Sequence, residues 1–140
     1  MEFISNKLED TFECAGKISQ TLEAGDIVLL KGDLGAGKTA FVKGIIKAYG
    51  GDYSNVTSPT FTLVNEYQVK DKTIYHFDLY RIESVEELYN IGIEEYFYSE
   101  AICFVEWPER APEIFDRHCK KVTITKLSDT SRKIVFEEKV

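Results

Sequence analysis

The segment Gly32-Asp33-Leu34-Gly35-Ala36-Gly37-Lys38-Thr39 is a complete G-x-x-x-x-G-K-[ST] phosphate loop. It lies directly between an apolar run, Ile27-Val28-Leu29-Leu30, and a helix-like stretch from Thr39 to Ala48. Strand, loop and helix in that order are the context the motif requires. The glycines let the backbone curl so that successive N–H groups and the helix N-terminus point at one anion. Lys38 then reaches the β- and γ-phosphates, and the Thr39 hydroxyl is placed to ligate Mg²⁺. A nucleoside triphosphate is therefore the first ligand to expect.

Composition narrows the function. The 140 residues provide for one compact domain, residues 1–140, with a real core and little room for a separate substrate domain, which disfavours large motors and synthetases. Seventeen Lys and Arg stand against 24 Asp and Glu, a net charge of −7, whereas a chain gripping polynucleotide by itself shows a basic footprint. Any connection to nucleic acid is expected to run through a partner. Cys14, Cys103 and Cys119 are odd in number and widely spaced, so neither a disulfide framework nor a zinc site is indicated, and a cytoplasmic location with reduced thiols is expected. Apolar runs span only a few residues against the ~20 that cross a bilayer, and no leader pattern is present, so a soluble, unprocessed chain is expected.

Periodicity outlines an α/β phosphate-loop NTPase. Leu8, Phe12, Ala15, Ile18 and Leu22 recur at helical spacing, which predicts a helix over residues 7–23 with Asn6 and Glu9 as its capping pair. Strand 27–31, the loop and a helix to about Tyr49 follow, stopped by Gly50-Gly51. Residues 61–69 and 73–80, rich in β-branched and aromatic side chains, read as an antiparallel hairpin about Lys70-Asp71-Lys72. Ser84 with Glu87 forms a capping box for a short helix ending near Gly92. Ala101–Val105 is apolar without alternation, as in a parallel strand buried on both faces. Residues 120–127 and 132–138 alternate around Ser128-Asp129-Thr130-Ser131 as a second hairpin. The expected sheet is mixed, parallel at its core with antiparallel hairpins at its edges.

A triphosphate site also needs carboxylates at the C-terminal tips of strands beside the loop. Glu106 ends the apolar run and Asp78 sits in Tyr75-His76-Phe77-Asp78-Leu79-Tyr80-Arg81. Asp78 is alternatively a solvated edge-strand acid or an ion-pair partner of Arg81. Thr57-Ser58-Pro59-Thr60-Phe61-Thr62 is either a turn entering a strand or a switch whose Ser58 or Thr60 hydroxyl senses the γ-phosphate and metal. His76 reads as packing or hydrogen bonding within its strand, and Trp107 as core edge or as an exposed recognition corner at the mouth of the site.

The phosphate loop, then Ser58-Pro59-Thr60-Phe61-Thr62-Leu63-Val64, then Tyr75-His76-Phe77-Asp78-Leu79-Tyr80-Arg81, then Val105-Glu106-Trp107-Pro108-Glu109, in that order and spacing, closely resemble the bacterial TsaE (YjeE) family over residues 5 to 138. The His-Phe-Asp-Leu-Tyr-Arg and Glu-Trp blocks are specific to that family, while many families share the loop. The resemblance implies an ATPase serving the threonylcarbamoyladenosine modification of tRNA position 37, acting with TsaD and TsaB and meeting tRNA only through them. By position, it implies that Lys38 and the loop residues Asp33, Leu34, Gly35, Ala36, Gly37 and Thr39 bind ATP. Thr39 and Glu106 would hold Mg²⁺, Asp78 would orient the attacking water or the metal's hydration shell, and Thr60 would be the switch hydroxyl. Thr11 and Arg132 correspond to residues that approach the adenosine. Ala40 stands where many relatives carry a second threonine, with Thr39 still at the magnesium position.

Three rival functions share the loop. A small-molecule kinase needs an acceptor pocket and several clamping arginines, against Arg81, Arg110, Arg117 and Arg132 here. A GTPase needs an Asn-Lys-x-Asp base reader after the loop, whereas the only Asn-Lys pair, Asn6-Lys7, precedes it. A module that binds ATP only to assemble with a partner would carry similar residues.

Overall fold

Consecutive buried residues along a strand need cover on both faces, and the centre of this molecule is built to supply it. The computed structural model describes residues 1–115 and 118–138; Arg117 lies outside them. Seven strands form one sheet: β1 (Glu2–Ser5), β2 (Ile27–Lys31), β3 (Val64–Val69), β4 (Lys72–Asp78), β5 (Ile102–Glu106), β6 (Lys120–Lys126) and β7 (Arg132–Glu137). Their spatial order is β1-β7-β6-β2-β5-β4-β3. The four inner strands, β6, β2, β5 and β4, run parallel, and β3, β7 and β1 join antiparallel at the edges. The mixed sheet read from the sequence is present, parallel at its core with antiparallel edges.

Helices α1 (Leu8–Ser19) and α2 (Lys38–Ala48) cover one face, where Ala15, Ile18, Phe41 and Ile45 meet Val28, Leu30, Phe104 and Val122. Short helices α3 (Glu86–Asn90) and α4 (Ile93–Phe97) contribute Leu88, Ile93 and Phe97 to the other, against Leu29, Phe77 and Val105. Full burial of a side chain such as Phe41 or Ile45 stabilises by about 1.5–3 kcal/mol. Burial also pushes the Cys14 and Cys103 thiols up to about 11 and about 12, which keeps them protonated at neutral pH.

The two long helices approach closely at Gly44, where an added Cβ would fall 2.7 Å from Ala15 Cβ and 3.1 Å from the Phe12 backbone. Gly44→Val is expected to destabilise the fold by about 1–3 kcal/mol through overpacking, read as a lower urea midpoint. An unchanged midpoint would mean that the helices separate without cost.

Several ends differ from the sequence reading for local reasons. The first helix closes at Ser19, and the Asn6–Glu9 pair does not cap it: the Asn6 N–H donates to Asp10 Oδ2 at 3.0 Å instead. Strand β3 begins at Val64, because Leu63 takes φ 72° and its N–H donates to the Pro59 carbonyl at 2.8 Å, making residues 60–63 a turn. The Gly50-Gly51 stop is a Schellman closure, with Gly51 N–H on Ile46 O and Gly50 N–H on Lys47 O. Of the predicted capping box, the Glu87 carboxylate accepts from the Ser84 N–H at 3.2 Å.

Candidate functional site

In a parallel sheet the C-terminal strand ends and the N-termini of the following helices face the same edge, so groups placed there converge. The phosphate loop leaves β2 and enters α2 through Gly37, whose φ of 109° is one that residues with a Cβ rarely adopt. The first N–H groups of α2 have no carbonyl ahead of them within the helix and are free for an anion. Register does the rest: Glu106 pairs with Leu30 on one side and with Asp78 on the other, so both carboxylates stand side by side next to the loop. A cleft of about 270 Å³ is lined by Lys38, Thr39, Ser58, Thr60, Asp78, Glu106 and Trp107 together with the loop.

Each acid is held. Glu106 Oε2 meets His76 Nε2 at 2.5 Å and accepts from the Thr39 hydroxyl at 3.4 Å. Asp78 Oδ2 accepts from the Thr60 hydroxyl at 3.0 Å and from Ser58 at 3.4 Å, and its Oδ1 accepts from the Tyr80 N–H at 2.9 Å. Hydroxyls and a backbone amide therefore hold Asp78, while the Arg81 guanidinium stands over Phe61, 4.6 Å from the ring centroid. The Thr57–Thr62 segment includes a turn that leads into β3, and its Ser58 and Thr60 hydroxyls touch Asp78.

Lys38 is buried, and its ammonium donates to the Gly32 carbonyl at 2.5 Å and lies 4.0 Å from the centroid of the Trp107 ring. Burial lowers its pKa from the ordinary lysine value, and the nearby carboxylates, Glu106 foremost and then Asp78, oppose that shift. Trp107 sits in the left-handed region at φ 59° and packs on Tyr80 at 4.9 Å. It therefore belongs to the wall of the site.

Thr11 and Arg132, far apart in sequence, line one second cleft of about 370 Å³ beside Gly37 and Ala40. Gly37 and Ala40 border both clefts, so the two form one groove around the loop. Arg132 Nε donates to the Ala36 carbonyl at 2.8 Å, tying the last hairpin to the loop, and the Thr11 hydroxyl pairs with Ser5 at 2.7 Å. A cavity of about 400 Å³ at the opposite end of the sheet, by Asp71, Thr73 and Glu100, includes no residue of the phosphate loop in its lining.

The oxygen donors Thr39, Glu106 and Asp78 suit a hard cation that also takes phosphate oxygens. Among the described residues no group of three or more His, Cys, Asp or Glu is placed to hold a metal ion. The residue that sequence reasoning underrated is His76. Its position two before Asp78, on the same strand face, was the available signal.

This sheet, with the loop after its central strand, defines a phosphate-loop NTPase fold, and it superposes on the crystal structure of Bacillus subtilis YdiB with a TM-score of 0.79 at 29% identity, covering 100% of this chain and 86% of that one. Residues 5–134 match the family model described as threonylcarbamoyl adenosine biosynthesis protein TsaE. The tRNA threonylcarbamoyladenosine biosynthesis protein TsaE of Rickettsia felis is 42% identical over 129 residues, 92% of this chain and 75% of that protein. Its Treponema pallidum counterpart is 37% identical over 134 residues, 96% of this chain and 98% of that protein. The chain belongs to the TsaE family and to tRNA threonylcarbamoyladenosine biosynthesis. Among the described residues no helix is long and apolar enough to cross a membrane.

Proposed function

We propose that this chain binds ATP with Mg²⁺ in the groove around the phosphate loop and hydrolyses it in a cytoplasmic complex with TsaD and TsaB, in support of the modification at tRNA position 37. The observation that carries the reading is the register that sets Asp78 and Glu106 side by side next to Lys38 and Thr39. Lys38 and the loop amides bind the β- and γ-phosphates, and the nucleoside lies toward Thr11 and Arg132. Thr39 and Glu106 hold Mg²⁺, which when bound neutralises phosphate charge and fixes the triphosphate geometry. Asp78 orients the attacking water, and Thr60, already bonded to Asp78, registers whether a γ-phosphate is present. The acidic net charge of −7 supports a role in which partners, rather than this chain, meet the tRNA.

Binding requires Lys38 to exchange the Gly32 carbonyl and the Trp107 face for phosphate oxygens. Lys38→Ala removes that charge-assisted contact, worth about 1.5–3 kcal/mol, and is expected to weaken ATP affinity roughly ten- to a hundred-fold. Calorimetry decides it: equal affinities in wild type and variant would show that the loop is not the phosphate site.

A further inference from the structure

His76 is completely buried on the α2 face of β4, on the same side of the sheet as Ile74 and, on the neighbouring strand, Phe104. An apolar side chain would satisfy such a position at no polar cost. Instead the ring sets Nε2 2.5 Å from Glu106 Oε2, and its Nδ1 is buried with no hydrogen-bond partner. A buried, half-satisfied imidazole costs stability, so its contact with the carboxylate is the feature that gives it a purpose. Backbone pairing strengthens the point, because β4 and β5 are in register at His76↔Phe104 and Asp78↔Glu106, so the ring reaches diagonally to the acid at the strand tip.

We propose that His76 is a positioning residue for Glu106: its Nε2–H engages Oε2, the oxygen that also faces the Thr39 hydroxyl, and so leaves Oε1 presented to the cation that accompanies the nucleotide. The inference rests on the Mg²⁺–ATP reading of the cleft and deepens it. A carboxylate at the end of a strand has rotamers that point away from the cleft, and a single short hydrogen bond from a ring locked in the core removes them. Partners of this kind, one shell beyond a metal ligand, typically change metal affinity about 10- to 100-fold when lost.

The test is the affinity for ATP measured by calorimetry with Mg²⁺ and again with EDTA, in the wild-type chain and in His76→Phe, His76→Gln and His76→Asn. Glutamine can carry an amide N–H to the place of Nε2, whereas asparagine is too short and phenylalanine has no donor. The expected result is that phenylalanine and asparagine lose about 10- to 100-fold in the Mg²⁺-dependent part of the affinity, leave the affinity in EDTA unchanged, and that glutamine restores most of the loss. If His76→Phe does not fold, the glutamine and asparagine variants carry the comparison. Equal losses with Mg²⁺ and with EDTA would mark a merely structural residue and overturn the proposal, as would a glutamine variant no better than asparagine. A wild-type chain that binds ATP equally with and without Mg²⁺ would instead overturn the Mg²⁺ reading of the cleft, and the proposal with it.

Discussion

Adding TsaD and TsaB to this chain is expected to raise its rate of ATP hydrolysis by a factor that in other phosphate-loop systems reaches ~10³ to 10⁵ when a missing positive charge is supplied. The cause is what the cleft lacks. Among the described residues the lining of the cleft beside Asp78 and Glu106 holds Lys38 as its only cation, and the described arginines are held by the chain itself: Arg81 over Phe61, Arg110 over Tyr80, and Arg132 on the carbonyls of Gly35, Ala36, Ser128 and Ser131. Leu34 on the loop and Phe61 on the 60–63 turn are 66% and 85% exposed, an apolar rim that a docked subunit would cover while excluding water. Trp107→Ala is expected to weaken the complex or its activity without lowering ATP affinity, since in the proposed mechanism Lys38 would leave the Trp107 ring to take up phosphate. Steady-state assays with and without the partners read both effects. Full activity in the isolated chain, unchanged by TsaD and TsaB, would favour an independent enzyme such as a kinase.

Glu106→Gln and Asp78→Asn are each expected to lower turnover in the full complex on the order of 10²-fold or more; ATP affinity without Mg²⁺ is expected to stay within about tenfold of wild type, while the Mg²⁺-dependent part of it falls in Glu106→Gln as it does in His76→Phe. Positioning a metal and a water matters most as charge develops in the transition state, so in the proposed mechanism these groups are expected to act on kcat more than on the binding of ATP itself. The structure adds a distinction between the two. Glu106→Gln places an amide against the short contact with His76 Nε2 and disturbs the acid's support as well as its charge. Asp78→Asn keeps an oxygen able to accept from Thr60 or Tyr80 N–H and removes chiefly the charge. A rate in either variant equal to wild type would remove that residue from the proposed machinery.

How much of this was legible in the sequence depended on how local the cause was. The loop, the buried runs of β2 and β5 and the Gly50-Gly51 stop are written in consecutive residues, since a run such as Ile27-Val28-Leu29-Leu30 can be satisfied only between two covered faces. Strand β1 was not legible: its four residues alternate weakly and become a strand only by pairing with β7, Phe3 opposite Ile134, from the far end of the chain. Helix α4 was missed because it is a single turn after Gly92 whose Ile93 and Phe97 gain their burial from packing rather than propensity. The acids at the site were found from their place at strand ends. Their alignment was not, because it follows from the β4–β5 register, and neither was the His76 contact, which needs two strands to be seen at once.

The most direct test is a crystal structure of this chain with ADP, beryllium fluoride and Mg²⁺, a stand-in for the bound triphosphate. The predicted result is phosphate density cradled by the loop, with Lys38 turned from Gly32 toward it, the cation against Thr39 and Glu106, and the adenosine beside Thr11 and Arg132. Nucleotide density away from the loop, or a loop left empty at saturating ligand while Lys38 stays on the Gly32 carbonyl, would contradict the assignment of this groove as the ATP site.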